Sequence, residues 1–164
     1  MRAVAYHVPL SLVSSAVAEE REGVAYFRLK NGVLAKRVHV WGVVVGRLVG
    51  DEYVRLTLDD LSGTAGVVFF DPPPEVKGVD VGDSVDVVGR LRVRNDEVGV
   101  VGETLRVIAP EVELLRRLEN AAFVLNPRTA EESVPPPVKK DVRKERAEEE
   151  ELEVETLDLE GNGW

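Results

Sequence analysis

Cysteine is absent from the 164 residues, so disulfides and thiolate metal sites are excluded. There are two histidines, His7 and His39, far apart in the chain, which argues against a zinc centre or a histidine-based catalytic triad. Glutamine is absent, the one methionine is Met1, and aromatics make up only 5% of the chain. Scarcity of thermolabile residues beside abundant Glu and Arg points to a thermophile. No apolar run is long enough for a membrane span, and the start lacks a basic stretch followed by an apolar signal core. The chain is therefore expected in the cytoplasm, with no metal and no cofactor.

What is plentiful is valine, concentrated in the first two thirds, and β-branched residues favour a pleated, half-buried surface. Net charge is −9, but it is unevenly spread. Residues 1–110 hold 13 Lys/Arg against 15 Asp/Glu, a net of −2, whereas residues 128–164 hold 6 against 12, a net of −6. The body is near neutral and carries its basic residues in clusters, so the total charge is a poor guide to any binding face.

Four stretches follow. Residues 1–36 are a mixed lead-in, with a helix expected over Leu10–Glu20 and a strand over Val24–Leu29. Residues 37–109 alternate with period two. Val38, Val40, Val44 and Leu48 fall on the inner face of a first strand, whose Gly42 and Gly46 mark bends. A second strand is expected over Tyr53–Asp59 and a third over Thr64–Phe70, joined by a tight turn at Asp60-Leu61-Ser62-Gly63. Asp71-Pro72-Pro73-Pro74 stops the third strand, because proline lacks the ladder donor. A fourth strand, Ser84–Arg94, places Val85, Val87, Leu91 and Val93 inward. Asn95-Asp96 turns it into a fifth over Glu97–Ile108, with a bulge near Gly102.

Residues 110–127 read as a helix, with Pro110 in its first turn, where a missing N–H costs nothing. Residues 128–164 read as a proline-bearing linker and an acidic tail, disordered or partly helical, whose Leu157, Leu159 and Trp164 suit docking into a basic groove, on a partner or on the protein's own basic face. Five strands with no long intervening helix, then a helix, predict an all-β, five-stranded OB-fold Greek-key barrel closed by a C-terminal α-helix. An SH3-like barrel is the structural competitor. The glycine-bent first strand and the insertion between strands three and four favour the OB-fold.

Arg90, Arg92 and Arg94 alternate with apolar residues and share an outward face suited to phosphate. The plain alternative is a solvated strand face paired to Asp86 or Glu103. Trp41 shares its face with Arg47, opposite the valines. Tyr53 and Arg55 lie outward on strand two. Of the adjacent Phe69 and Phe70, one points inward and one outward, and an outward aromatic can stack a base. Asp59 and Asp60 are the neighbouring carboxylates that most resemble an acid–base pair, but such residues ordinarily cap turns. With no nucleophile or base nearby, the expectation is a protein that is not an enzyme. On the helix, Leu115, Leu118, Ala122 and Leu125 form a heptad-like seam that Val112 and Phe123 widen.

Several stretches resemble one family. These are Asp59-Asp60-Leu61-Ser62-Gly63-Thr64 after an alternating strand, Val81-Gly82-Asp83-Ser84-Val85-Asp86-Val87-Val88-Gly89-Arg90-Leu91-Arg92 as a fourth strand, and the helix ending Leu118-Glu119-Asn120-Ala121-Ala122-Phe123-Val124-Leu125. Over residues 37–127 the chain resembles the middle subunit of replication protein A and its archaeal relatives, including the Stn-type telomere subunits. Ala3–Tyr6 and Gly32–Arg37 look like the archaeal replication-protein-A-associated group. The resemblance implies a single-stranded DNA-binding heterotrimer acting in DNA replication and repair, in which the closing helix packs with those of a large and a small OB-fold subunit. It also implies base-stacking aromatics at the end of strand three, here Phe69 or Phe70, and on strand four, where this chain has Arg94. The family's C-terminal winged-helix domain has no counterpart in a tail of this length and charge. The alternatives are an RNA- or tRNA-binding OB module and a scaffold without nucleic-acid contact.

Overall fold

The structure is a computed structural model that describes residues 3–125. The linker and acidic tail expected over residues 128–164, with Leu157, Leu159 and Trp164, lie outside the described residues.

The valine-rich alternation from Arg37 builds a 13-residue strand, β5 (Arg37–Val49), which serves two neighbours. Its first half pairs antiparallel with β8 (Ser84–Arg94), and its second half pairs antiparallel with β6 (Tyr53–Asp59). A strand must bend sharply to do both. The register shifts between Val44 and Gly46, and a side chain on Gly42 would meet the Leu58 Cβ at 2.9 Å. Both glycines expected to mark bends therefore sit where the backbones crowd.

From β6 the chain turns into β7 (Thr64–Phe70), crosses to β8 by the short helix α2 (Pro74–Lys77), and returns as β9 (Glu97–Val107). β7 pairs parallel with β9, β9 antiparallel with β8, and β8 returns to β5. This closure is that of a five-stranded OB-fold barrel and decides against the SH3-like alternative. Alternate residues fill the barrel, among them Val38, Val40, Val54, Leu56, Leu58, Val67, Phe69, Val85, Val87 and Leu91, and α2 buries Val76.

Two expected inward residues are exposed. Leu48 lies past the β5 bulge, which reverses the alternation, and Val93 lies on the β8–β9 hairpin. A second irregularity falls in β9, where Val88 pairs with Thr104 but Gly89 pairs with Gly102, leaving Glu103 as the extra residue. Gly102 there gives room to the Phe69 ring, which would lie 2.2 Å from an added Cβ.

The lead-in differs from its sequence reading. β1 (Ala5–His7) adds parallel to β5, and the helix α1 covers only Leu10–Ser14. The rest of the expected helix is strand β2 (Val17–Arg21), which pairs with β3 (Val24–Arg28) and through it with β4 (Leu34–Ala35). The physical reason is Glu22-Gly23, both at positive φ, a two-residue hairpin turn that helix periodicity does not reveal. The lead-in also supplies Leu10, Val13, Phe27 and Leu29 to the same core as the barrel.

Helix α3 (Pro110–Leu125) follows β9 after two residues. Glu111 and Glu113 in its first turn suit the positive end of the helix dipole. Its one buried residue is polar, Asn120. Leu114, Leu115, Leu118, Val124 and Leu125 are exposed instead. No helix among the described residues is long and apolar enough to cross a membrane.

Candidate nucleic-acid interface

On the outer face of the β6–β7 pair, Tyr53 stands opposite Phe70, Arg55 opposite Val68, and Thr57 opposite Gly66. The hairpin joining β8 to β9 rises beside this face. Its two-residue loop, Asn95-Asp96, has positive φ at both positions, the conformation that matches strand twist. Between them lies a groove of about 470 Å³, whose walls include Arg55, Phe70, Arg92, Arg94 and Val98. Gly66 and Gly99 bring two strands close together within it. A side chain on Gly99 would sit 3.1 Å from the Gly66 carbonyl oxygen, and the Arg55 guanidinium lies over Gly66.

The alternation settles the two phenylalanines. Phe69 is 2% exposed in the core and Phe70 is 60% exposed in the groove. The expectation that Phe69 might stack a base gives way to its packing against Gly102. Arg55, Arg92 and Arg94 make no ion pair among the described residues. Glu97 is the one carboxylate that lines the groove. Three guanidiniums beside an exposed ring can grip phosphates and stack a base.

Other expected contacts lie elsewhere. Trp41 is 1% exposed and cannot stack a base. It shares an outer face with its cross-strand partner Asp86, whose carboxylate Arg116 of α3 grips. Arg47 is exposed but donates to the Lys77 carbonyl at the end of α2, away from the groove. The Tyr53 ring lies against Gly50, half-buried, and does not line the groove. Arg90 is held by Glu103 at 2.9 Å, the cross-strand alternative raised above, and Glu103 also takes Arg37 at 2.6 Å. The Arg37 hydrogen bond leads in holding the Glu103 carboxyl below its ordinary value.

Of the expected helix residues, Leu115, Leu118, Ala122 and Leu125 are exposed, joined by Leu114 and Ala121 on the same stripe. Val112 and Phe123 are half-buried, and Phe123 packs on the core. These two help seat the helix on its own barrel instead of widening the free seam.

Asp59 and Asp60 both work in their turn. Asp59 accepts the Leu61 N–H, and Asp60 accepts the Ser62 N–H and hydroxyl. Asp60 also accepts the Leu10 N–H at 2.9 Å, capping α1, which has no side-chain cap of its own.

Sequence reasoning missed the polar seam beneath α3. Asn120 donates to Asp60 and its carbonyl accepts from His7 Nε2 at 3.2 Å; His7 Nδ1 faces His39 Nδ1 at 3.4 Å. His39 approaches Asp86, which Arg106 and Arg116 also bind. Burial alone would raise Asp86, but hydrogen bonds from His39, Arg116 and Arg106 hold its carboxyl well below the usual carboxylate range. Burial first, then the neighbouring His39, pushes His7 below the ordinary imidazole value. A polar Asn120 in an otherwise apolar-patterned helix was the one signal available.

Comparison with known proteins agrees with the fold. No protein-family model matches the chain. A sequence relative, an "uncharacterized 18.7 kDa protein in ribosomal RNA operon" of Thermofilum pendens, is 33% identical over 91 residues, 52% of this chain and 52% of that protein. The match therefore spans about half the length of the curated relative. Among solved structures, the S. pombe Stn1–Ten1 complex contains a chain that superposes with TM-score 0.64 at 18% identity, covering 76% of this chain and 93% of that one. A replication protein A heterotrimer bound to single-stranded DNA contains another, with TM-score 0.62 at 16% identity, covering 75% and 97%. These likenesses establish an OB-fold barrel with its closing helix.

Proposed function

We propose that this protein binds single-stranded DNA in the groove of its barrel and joins other OB-fold subunits through α3. It would be the middle-subunit-like component of an archaeal replication protein A-type complex serving DNA replication and repair, acting as a binding module and not an enzyme. The observation that carries the reading is the groove, with an exposed Phe70 set among Arg55, Arg92 and Arg94, none of them in an ion pair among the described residues. The exposed leucine stripe of α3 supports the assembly half, because contiguous exposed apolar surface marks an interaction site.

Binding by the isolated chain should be modest. The β5–β6 connection carries Asp51-Glu52 and the β8–β9 hairpin carries Asp96-Glu97, so the loops that flank an OB-fold ligand are short and acidic. Affinity no better than about micromolar near physiological salt is expected, and lower salt should tighten it. Titration of a labelled oligothymidylate by anisotropy tests this; nanomolar binding by a verified monomer, or no binding even at low salt, would refute it.

One observation favours RNA as a second reading. The Thermofilum pendens relative is described as lying in a ribosomal RNA operon. Competition between matched DNA and RNA oligonucleotides at two salt concentrations separates the two ligands.

A further inference from the structure

We propose that a second, basic pocket between the lead-in sheet and β8 receives the backbone of the same single strand where it leaves the main groove, lengthening the binding site beyond the barrel face. The inference rests on the reading that the main groove binds a single strand. The pocket has a volume of about 450 Å³, and Lys36, Arg37, Arg90 and Arg92 line it with no acidic residue among the lining set. Buried Phe27 and Leu91 contribute to its lining, and Gly23 and Ala25 leave it open.

Three features fit it to phosphate. First, the cations are held in place. The Lys36 ammonium sits 4.4 Å from the centre of the Tyr26 ring, and Glu103 draws Arg37 and Arg90 side by side from the bulge of β9. One carboxylate shared by two guanidiniums leaves the cluster strongly cationic. Second, Arg90 and Arg92 are two residues apart on one strand, about 6.5 Å, comparable to the separation of neighbouring phosphates in an extended single strand. Third, Arg92 lines both this pocket and the main groove, so the two cationic surfaces are continuous. A strand lying on Phe70 and Arg94 can cross Arg92 and enter the pocket without meeting a carboxylate among its lining residues. The sequence singles out Arg90 and Arg92 but gives no sign of Tyr26 and Lys36, which lie outside the barrel repeat.

The test compares oligothymidylates of about 5 and about 15 nucleotides, lengths that bracket a single OB-fold site, on the full chain and on Lys36→Ala/Arg90→Ala. Arg90 is exposed and Lys36 half-buried, and thermal melts check that the variant is folded. For the long oligonucleotide, the variant should lower the slope of log K against log salt by about 1.4, at roughly 0.7 per phosphate contact. For the short one it should change nothing, whereas Phe70→Ala should weaken both. Equal slopes for both lengths in the wild type, or an unchanged slope for the long strand in the variant, would overturn the second pocket while leaving the main groove intact. Binding of inorganic pyrophosphate that the variant loses, with no effect on the long strand, would overturn it in favour of a free-anion site. Loss of both lengths already in the wild type would refute the main-groove reading together with this one.

Discussion

Asn120 of α3 donates its side-chain amide to the buried carboxylate of Asp60, sixty residues earlier, at 2.8 Å. The same Asp60 oxygen accepts the Leu10 N–H at the start of α1. One carboxylate therefore joins the closing helix, the β6–β7 turn and the lead-in. Replacing Asp60 by Ala leaves a buried amide and a buried N–H unpaired, each costing about 1–3 kcal/mol. Asn120→Ala should cost about 1–3 kcal/mol and be strongly non-additive with Asp60→Ala, since the two share one bond. Urea melts of the two single variants and the double variant measure this coupling, and full additivity would show that the contact contributes nothing.

Phe69 and Phe70 separate stability from binding. Phe69→Ala should destabilise by about 3–5 kcal/mol, the range for a fully buried ring. Phe70→Ala should leave the melting transition nearly unchanged and weaken single-strand binding by about 1–3 kcal/mol with little change in salt slope. Parallel melts and anisotropy titrations read both effects.

Removing Arg55, Arg92 and Arg94 together should lower the salt slope by about 2, at roughly 0.7 per phosphate contact. The same triple change should barely alter stability, because none of the three is in an ion pair among the described residues. A slope equal to that of the wild type would make this face a solvated surface.

Leu118 is 60% exposed, so Leu118→Glu should change the stability of the isolated protein by no more than about 0.5 kcal/mol. Under the proposed assembly role the same change buries an unpaired carboxylate between subunits and should abolish association with OB-fold partners. Light scattering after size exclusion, paired with thermal melts, separates loss of assembly from loss of fold. Unfolding of the monomer would instead mean that the leucine stripe serves its own barrel.

Acid should loosen the helix seam. His7 holds its proton less readily in the folded chain, so the unfolded chain binds more protons and stability falls as pH falls. Its contribution is complete above the ordinary imidazole value of 6.5 and is lost as pH drops through the lowered one. Asp86 acts in the same direction, since its depressed carboxyl contributes above the usual carboxylate range and is lost only at much lower pH. Denaturant midpoints should fall between about pH 7.5 and pH 5.5, and His7→Gln should flatten that dependence. A midpoint that rises on acidification would contradict this account.

The barrel was legible in the chain because alternation, glycine and proline act locally. The bounds of β6, β7 and β8, the Asn95-Asp96 turn and the start of α3 at Pro110 all follow from which neighbours are apolar and where proline removes a donor. The choice between Phe69 and Phe70 is the limit of that reasoning, since a strand dictates that adjacent side chains oppose but not which one faces the core. Three-dimensional pairing decided it, by placing Gly102 against one ring. The polar seam likewise came from long-range contact, because hydrogen bonds among His7, His39, Asp60, Asp86, Arg116 and Asn120 obey no sequence spacing. The β2–β3 hairpin replaced an expected helix because Glu22-Gly23 could turn the chain and a pairing partner lay within reach. Local chemistry thus determined the barrel strands and the closing helix, while long-range contact decided the lead-in strands, which side chains each element hides and which it offers to a ligand.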